Sequence, residues 1–169
     1  MKRNLLIFFI LTIITLVGCN KTEPTPHKEN IPLTSESTIR GLKVGAMVNK
    51  SVYKVGEPIE VKAYIQNTKG EIHKFEGTPC DGKLYISIAD KYSKYRLQGK
   101  GDIVPDVCIE PMGHHELKPQ QILNAKATFN TNKVIKLDEG TEEKLKPGKY
   151  FIEVKYYIDT VVAAEIEIK

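Results

Sequence analysis

From Gly41 onward, apolar and polar residues alternate along the chain. In the run IEVKAYIQ (59–66), Ile59, Val61, Ala63 and Ile65 fall on one side, and Glu60, Lys62, Tyr64 and Gln66 on the other. Successive side chains of a strand point to opposite faces, so this period of two predicts a half-buried strand. The same rhythm sets Leu42, Val44, Ala46 and Val48 on one face. It does so again for Leu84, Ile86 and Ile88, and for Leu123, Ala125, Ala127 and Phe129. The longest rows are Tyr150, Ile152, Val154, Tyr156 and Ile158, then Val162, Ala164, Ile166 and Ile168. Turn-forming stretches separate them: Val55-Gly56-Glu57-Pro58, Asn67-Thr68-Lys69-Gly70, Asp90-Lys91 and Lys146-Pro147-Gly148-Lys149. Helical spacing is absent from every window. About seven or eight short antiparallel strands predict an all-β, immunoglobulin-like sandwich over residues 41–169.

The N-terminus has a different pattern. Lys2 and Arg3 precede an almost wholly apolar stretch from Leu5 to Val17, and Gly18 stands directly before Cys19. Positive, apolar and small, in that order, is the arrangement of a secretory signal. The ending Leu16-Val17-Gly18-Cys19 resembles the lipobox of bacterial lipoproteins. That resemblance implies a signal peptide over 1–18 and a diacylglyceryl group, with acyl chains such as palmitate, on Cys19. Two acyl chains anchor stably where one does not. Residues 19–40 are rich in proline, threonine, serine and charge, with Pro24, Pro26 and Pro32 among them. Such composition cannot bury enough surface to fold and predicts a flexible linker between lipid and domain.

Composition adds two constraints. Hydrophobic residues are 41% and charged residues 27%, a balance that supports one packed core. The net charge is +4, and two of those charges, Lys2 and Arg3, lie in the predicted signal. No cluster of Lys and Arg interleaves with aromatics, so nucleic acid is not an expected partner. Frequent lysine, isoleucine and asparagine, with no tryptophan, fit an AT-rich bacterial genome. The expected location is the outer face of the cytoplasmic membrane of a Gram-positive cell.

With Cys19 acylated, Cys80 and Cys108 remain. Export permits oxidation, so the two are expected to form one disulfide. Closing that loop contributes on the order of 3–4 kcal/mol in the chain-entropy model. Cys108 falls in a long connection running from about Gly99 to Pro119. Long connections of this kind are often functional. Its polar and exposed residues, Asp102, Asp106, Glu110, Met112, His114 and His115, form the candidate partner-binding loop.

Catalytic patterns are missing. There is no Gly-x-Ser-x-Gly, and Gly99-Lys100-Gly101-Asp102 lacks the spacing of a phosphate loop and is expected to be a turn. His114 and His115 suggest copper or zinc, with Cys108, Glu110 and Met112 nearby. Adjacent residues of a strand point apart, however, so a shared ion needs special loop geometry. The leading expectation is a polar loop with two exposed histidines, and no metal or other cofactor. Tyr92 and Tyr95 lie beside the Asp90 turn and could form an exposed patch.

The run VYKVGEPIEVKAYIQNTKGE (52–71) resembles the opening of bacterial Ig-like domains of the intracellular proteinase inhibitor (BsuPI-type) group. Tyr53, Gly56, Glu57, Pro58, Ile59 and Asn67 carry the likeness. So do LYISIAD (84–90), ELKPQQILNAKATF (116–129) and LKPGKYFIEV (145–154). Gln120 stands where the group has a glycine after Pro119. The resemblance implies an Ig-like sandwich and, by the group's name, protease inhibition. The expected function is a non-catalytic binding or accessory domain on a membrane-anchored lipoprotein, with a protein or envelope component as partner. Protease inhibition is the first alternative and envelope metal binding the second.

Overall fold

Alternation is realised most cleanly in one strand, Ile59–Asn67, where Ile59, Val61, Ala63, Ile65 and Asn67 are buried and the residues between them are not. The computed structural model describes residues 33–105, 108 and 111–169. Cys19, the expected signal segment and most of the expected linker lie outside the described residues. Within them there are twelve strands and no helix. The strands are β1 (Leu33–Ile39), β2 (Leu42–Val48), β3 (Val52–Tyr53), β4 (Ile59–Asn67), β5 (His73–Gly77) and β6 (Leu84–Ala89). They continue with β7 (Tyr95–Gly101), β8 (Gly113–Leu117), β9 (Ile122–Lys136), β10 (Thr141–Lys144), β11 (Gly148–Tyr156) and β12 (Asp159–Ile168). Among the described residues, no helix is long and apolar enough to cross a membrane.

Ten strands form one curled sheet in the order β1-β2-β4-β9-β7-β6-β11-β12-β3, with β10 also on β9. All the strand pairs are antiparallel except β12 with β3. The curl brings β1 against β12, β2 against β11 and β4 against β6. The two halves thus face each other as a sandwich. Its interior holds Val61, Ile65 and Phe129 from one half and Ile86, Ile88, Ile152 and Ile166 from the other. Each such side chain contributes roughly 1.5–3 kcal/mol by leaving water. The described core and the twelve described strands lie within residues 33–168. β5 and β8 form a separate two-stranded ribbon.

Two turns show why particular residues occupy them. Glu57 N donates to Lys54 O at 3.0 Å, and Gly56 between them has φ 90°. A turn with positive φ at its third position favours glycine. Gln121 N donates to Lys118 O at 3.0 Å, and Gln120 takes φ 61°. The glutamine holds a left-handed position after Pro119, the place of a glycine in the Pro-Gly form of this turn. At the start of β11, the buried Tyr150 hydroxyl donates to Lys146 O at 2.8 Å. This is a tyrosine corner, a device of immunoglobulin-like sandwiches.

Four sequence expectations are corrected. Leu33–Ile39, assigned to the linker by composition, is strand β1, paired along its length with β2. Ile158 does not continue the inward row, because β11 ends at Tyr156 and Ile158 is exposed in the turn. Val162 is exposed too, whereas Ala163 and Ala164 are both buried. A register shift opposite Ile152 and Glu153 leaves Ala163 without a cross-strand partner, and an extra residue flips the faces that follow. Finally, Gly99–Asp102 is no turn: Gly99, Lys100 and Gly101 are the paired tail of β7.

Candidate functional site

The region between Gly99 and Pro119 begins with the tightly packed tail of β7, paired with β9. A Cβ on Gly99 would lie 2.8 Å from Phe129 Cδ1, and one on Gly101 would lie 2.4 Å from Lys126 O. Glycine at both places makes room for the Phe129 ring and the Lys126 carbonyl of the paired β9. Asp102 then fastens the chain. Its N–H donates to Lys126 O at 3.0 Å, its carboxylate Oδ2 accepts from Lys126 N at 2.8 Å, and its carbonyl accepts from Ile86 N at 2.8 Å. Asp102 is therefore an exposed clasp between β9 and β6. Ile103 follows in a parallel bridge to Ile86.

Past Val104 and Pro105 the chain reaches Cys108, which is bonded to Cys80 with Cα atoms 6.2 Å apart. Cys80 sits in a well-tied turn. Thr78 donates from both N and Oγ1 to Asp81 Oδ2 at 2.8 Å, and Asp81 N donates back to Thr78 O at 2.8 Å. The connection is thus held at Asp102 and at Cys108. Asp106 and Glu110 lie outside the described residues. Met112 is 67% exposed.

His114 and His115 are not in a loop, which corrects the expectation for this segment. They lie in β8, opposite Glu76 and Phe75 of β5. His114 is exposed, with Nδ1 3.4 Å from Glu76 Oε1. His115 points the other way, stacks on Phe75 at 5.2 Å and has Nε2 3.3 Å from Gly77 O. Phe75 in turn stacks on Tyr157 at 4.2 Å and meets Tyr156 edge-on at 5.5 Å. This aromatic seam holds the ribbon to the sandwich. Burial at the seam pushes the His73 imidazole below its usual range and the Tyr156 phenol up to about 12. Among the described residues, no three of His, Cys, Asp and Glu gather to hold a metal ion.

A groove missed by sequence reasoning lies on the other side of Asp102. In the β7–β9 ladder, Leu97 pairs with Val134 but Gly99 pairs with Phe129. β9 uses Asn130 to Lys133 for a step that β7 makes with Gln98 alone, so the strands part. Thr131 turns inward, and its hydroxyl donates to Glu57 O at 2.8 Å. Asn130 and Asn132 remain exposed, joined by Asn132 N donating to Asn130 Oδ1 at 2.8 Å. The opening has a volume of about 640 Å³. Ile86, Leu97 and Phe129 line its floor, and Ile103, Val104 and Pro105 form one wall. The polar interruption Asn130-Thr131-Asn132 within an alternating strand was the available signal. Tyr92 is 81% exposed, while Tyr95 packs half-buried against the core.

No family model matches the chain, and no curated protein matches it. Among solved structures, a β-glucosidase from Erythrobacter marinus matches 79% of this chain at 10% identity and TM-score 0.42. The alkylpurine DNA glycosylase AlkC of Pseudomonas fluorescens, bound to DNA with an abasic site analog, matches 76% at 15% identity and TM-score 0.44. A β-glucosidase from Listeria innocua in complex with glucose matches 81% at 10% identity and TM-score 0.38. The chain spans 16%, 30% and 16% of those three proteins, respectively. Likeness this distant carries no functional argument.

Proposed function

We propose that this protein is a lipid-anchored, extracytoplasmic binding module without catalytic chemistry of its own. Cys19 tethers it to the membrane, and the sandwich presents the connection through Cys108 to a protein or envelope partner. The observation that carries this reading is the way that connection is held. It is clasped by Asp102 at one end and cross-linked by Cys80–Cys108 near the other, and its first residues wall an open groove. Anchor points fixed before binding, here Asp102 and Cys108, lower the conformational cost of recognition. The resemblance of 52–71 to the BsuPI-type group supports the same domain class.

The test is photo-crosslinking in cells of the source organism. A photoreactive residue replaces Met112 beside the cross-linked connection or, as a control, Val162 on β12, which is 59% exposed. A discrete adduct from position 112 and none from 162 is the expected result. Equal, diffuse labelling from both positions contradicts the proposal.

A further inference from the structure

The two ends of the sandwich differ in charge. β1 enters at one end, where Leu33 pairs with Val48. Four segments meet there through hydrogen bonds. Val55 N donates to Lys169 O at 3.0 Å, Thr131 Oγ1 to Glu57 O at 2.8 Å, and Leu137 N to Lys94 O at 2.9 Å. These segments, residues 49–58, 90–95, 130–149 and 167–169, hold ten lysines against seven carboxylates. The remainder of residues 33–169 holds eleven lysines and arginines against twelve carboxylates. That remainder includes Asp106 and Glu110, each two residues from Cys108, which shares a cleft with Tyr157 at the opposite end. Residues 20–32 carry Lys21 and Lys28 against Glu23 and Glu29, so they leave the balance unchanged.

The same end presents exposed apolar side chains. Tyr92 is 81% and Leu137 41% exposed, in the two turns that the Leu137–Lys94 bond joins. Lys91, Lys94, Lys144 and Lys146 are exposed there too, and Lys91 Nζ stands 5.8 Å from the centre of the Tyr92 ring. A tyrosine flanked by lysines suits the boundary between lipid and water, where the ring meets apolar groups and the charges stay wet.

We propose that this end is the membrane-facing surface and docks on anionic head groups of the bilayer that holds Cys19. Charge complementarity selects the lipid, since each lysine near an anionic surface adds to the attraction. Chain length selects the end. Leu33 is fourteen residues from Cys19, a reach of at most about 50 Å, so a moored Cys19 keeps the entry end near the bilayer. A weak contact suffices, because mooring makes the docking intramolecular. The inference rests on the lipid-anchor reading and gives the domain an orientation: the Cys80–Cys108 cross-link, at the opposite end, faces away from the membrane.

The test uses residues 20–169, a form that keeps every described residue, with an N-terminal hexahistidine in place of the acyl groups. It is moored to vesicles that carry a nickel-chelating lipid in phosphatidylcholine, with or without phosphatidylglycerol. Photoreactive p-benzoylphenylalanine replaces Tyr92 or, as a control at the other end, Ile158, which is 64% exposed. Intact mass after illumination reads the lipid adduct. Position 92 should label lipid about tenfold more with phosphatidylglycerol than without it, position 158 should not label, and high salt should erase the difference. Lys91→Glu with Lys94→Glu should cut the adduct about tenfold. Lys69→Glu with Lys74→Glu, the same change of charge at the far end, should leave it intact. Equal labelling from 92 and 158, or labelling at 92 indifferent to phosphatidylglycerol, overturns the proposal. So does a discrete protein adduct in place of lipid from position 92 in cells of the source organism. The hexahistidine supplies the mooring, so failure here leaves the natural anchor standing, and the mass of the mature chain reads that anchor separately.

Discussion

Asn67→Ala should destabilise the sandwich by about 3 kcal/mol, lowering its melting temperature by roughly 10 °C. Asn67 ends β4 and is fully buried. Its Nδ2 donates to Glu71 O at 2.8 Å and to Leu117 O at 2.9 Å, and its Oδ1 accepts from Lys69 N at 3.0 Å. Its backbone also pairs with Gln120 and Gln121. One amide therefore ties three pieces of chain: the main sheet, the 67–71 turn and the end of β8. Leu117 is itself fully buried, so water cannot replace the lost donor. An acceptor left unsatisfied in that position costs about 1–3 kcal/mol, and the turn loses its own bond as well. Asn67→Asp should be no better, because a carboxylate keeps the acceptor and loses both donors. Urea unfolding of residues 33–169 measures the change. A loss below about 1 kcal/mol would mean that the amide does not join the ribbon to the sheet.

The second large effect concerns the cross-link. Replacing Cys80 and Cys108 together by serine should cost about 3–4 kcal/mol, since the bond closes a loop of 28 positions. The loss should be uneven. Asp102 would still hold the chain to β9 and β6, so the strands should keep their amide-exchange protection. Only the stretch beyond Pro105 would be freed. Hydrogen exchange should therefore rise around Cys108 and Met112 while β4 and β11 remain protected. Equal stability with and without the bond, or loss of protection across the whole sheet, would contradict the placement of the cross-link at the edge of the site.

These two groups were visible in the sequence to different degrees. Strands β2, β4 and β11 were legible because one face lies in the core and the other turns outward, and β6 because Leu84, Ile86 and Ile88 form an apolar row. Cys80 and Cys108 were legible from count and compartment. The Tyr150 corner was foreshadowed by LKPGKY. β1 was not legible, because an edge strand whose residues are mostly exposed, Thr34 to Thr38, needs no apolar row. Val162 was assigned to the wrong face because a bulge depends on the partner strand, and one strand's pattern does not contain it. The strand of His114 and His115 is not legible in the sequence, because it is short and packs through Phe75 and Tyr157, both distant in sequence. The groove was the least legible feature. It arises from a register step between β7 and β9, and no periodicity within either strand encodes the separation of two.

The most direct test of the account is the intact mass of the mature protein extracted from membranes of the source organism, measured before and after reduction. The expected species begins at Cys19, carries a diacylglyceryl group on that residue, and gains two hydrogens when the Cys80–Cys108 bond is reduced. An unacylated chain that retains its first eighteen residues, with both remaining cysteines already in the thiol form, would contradict it.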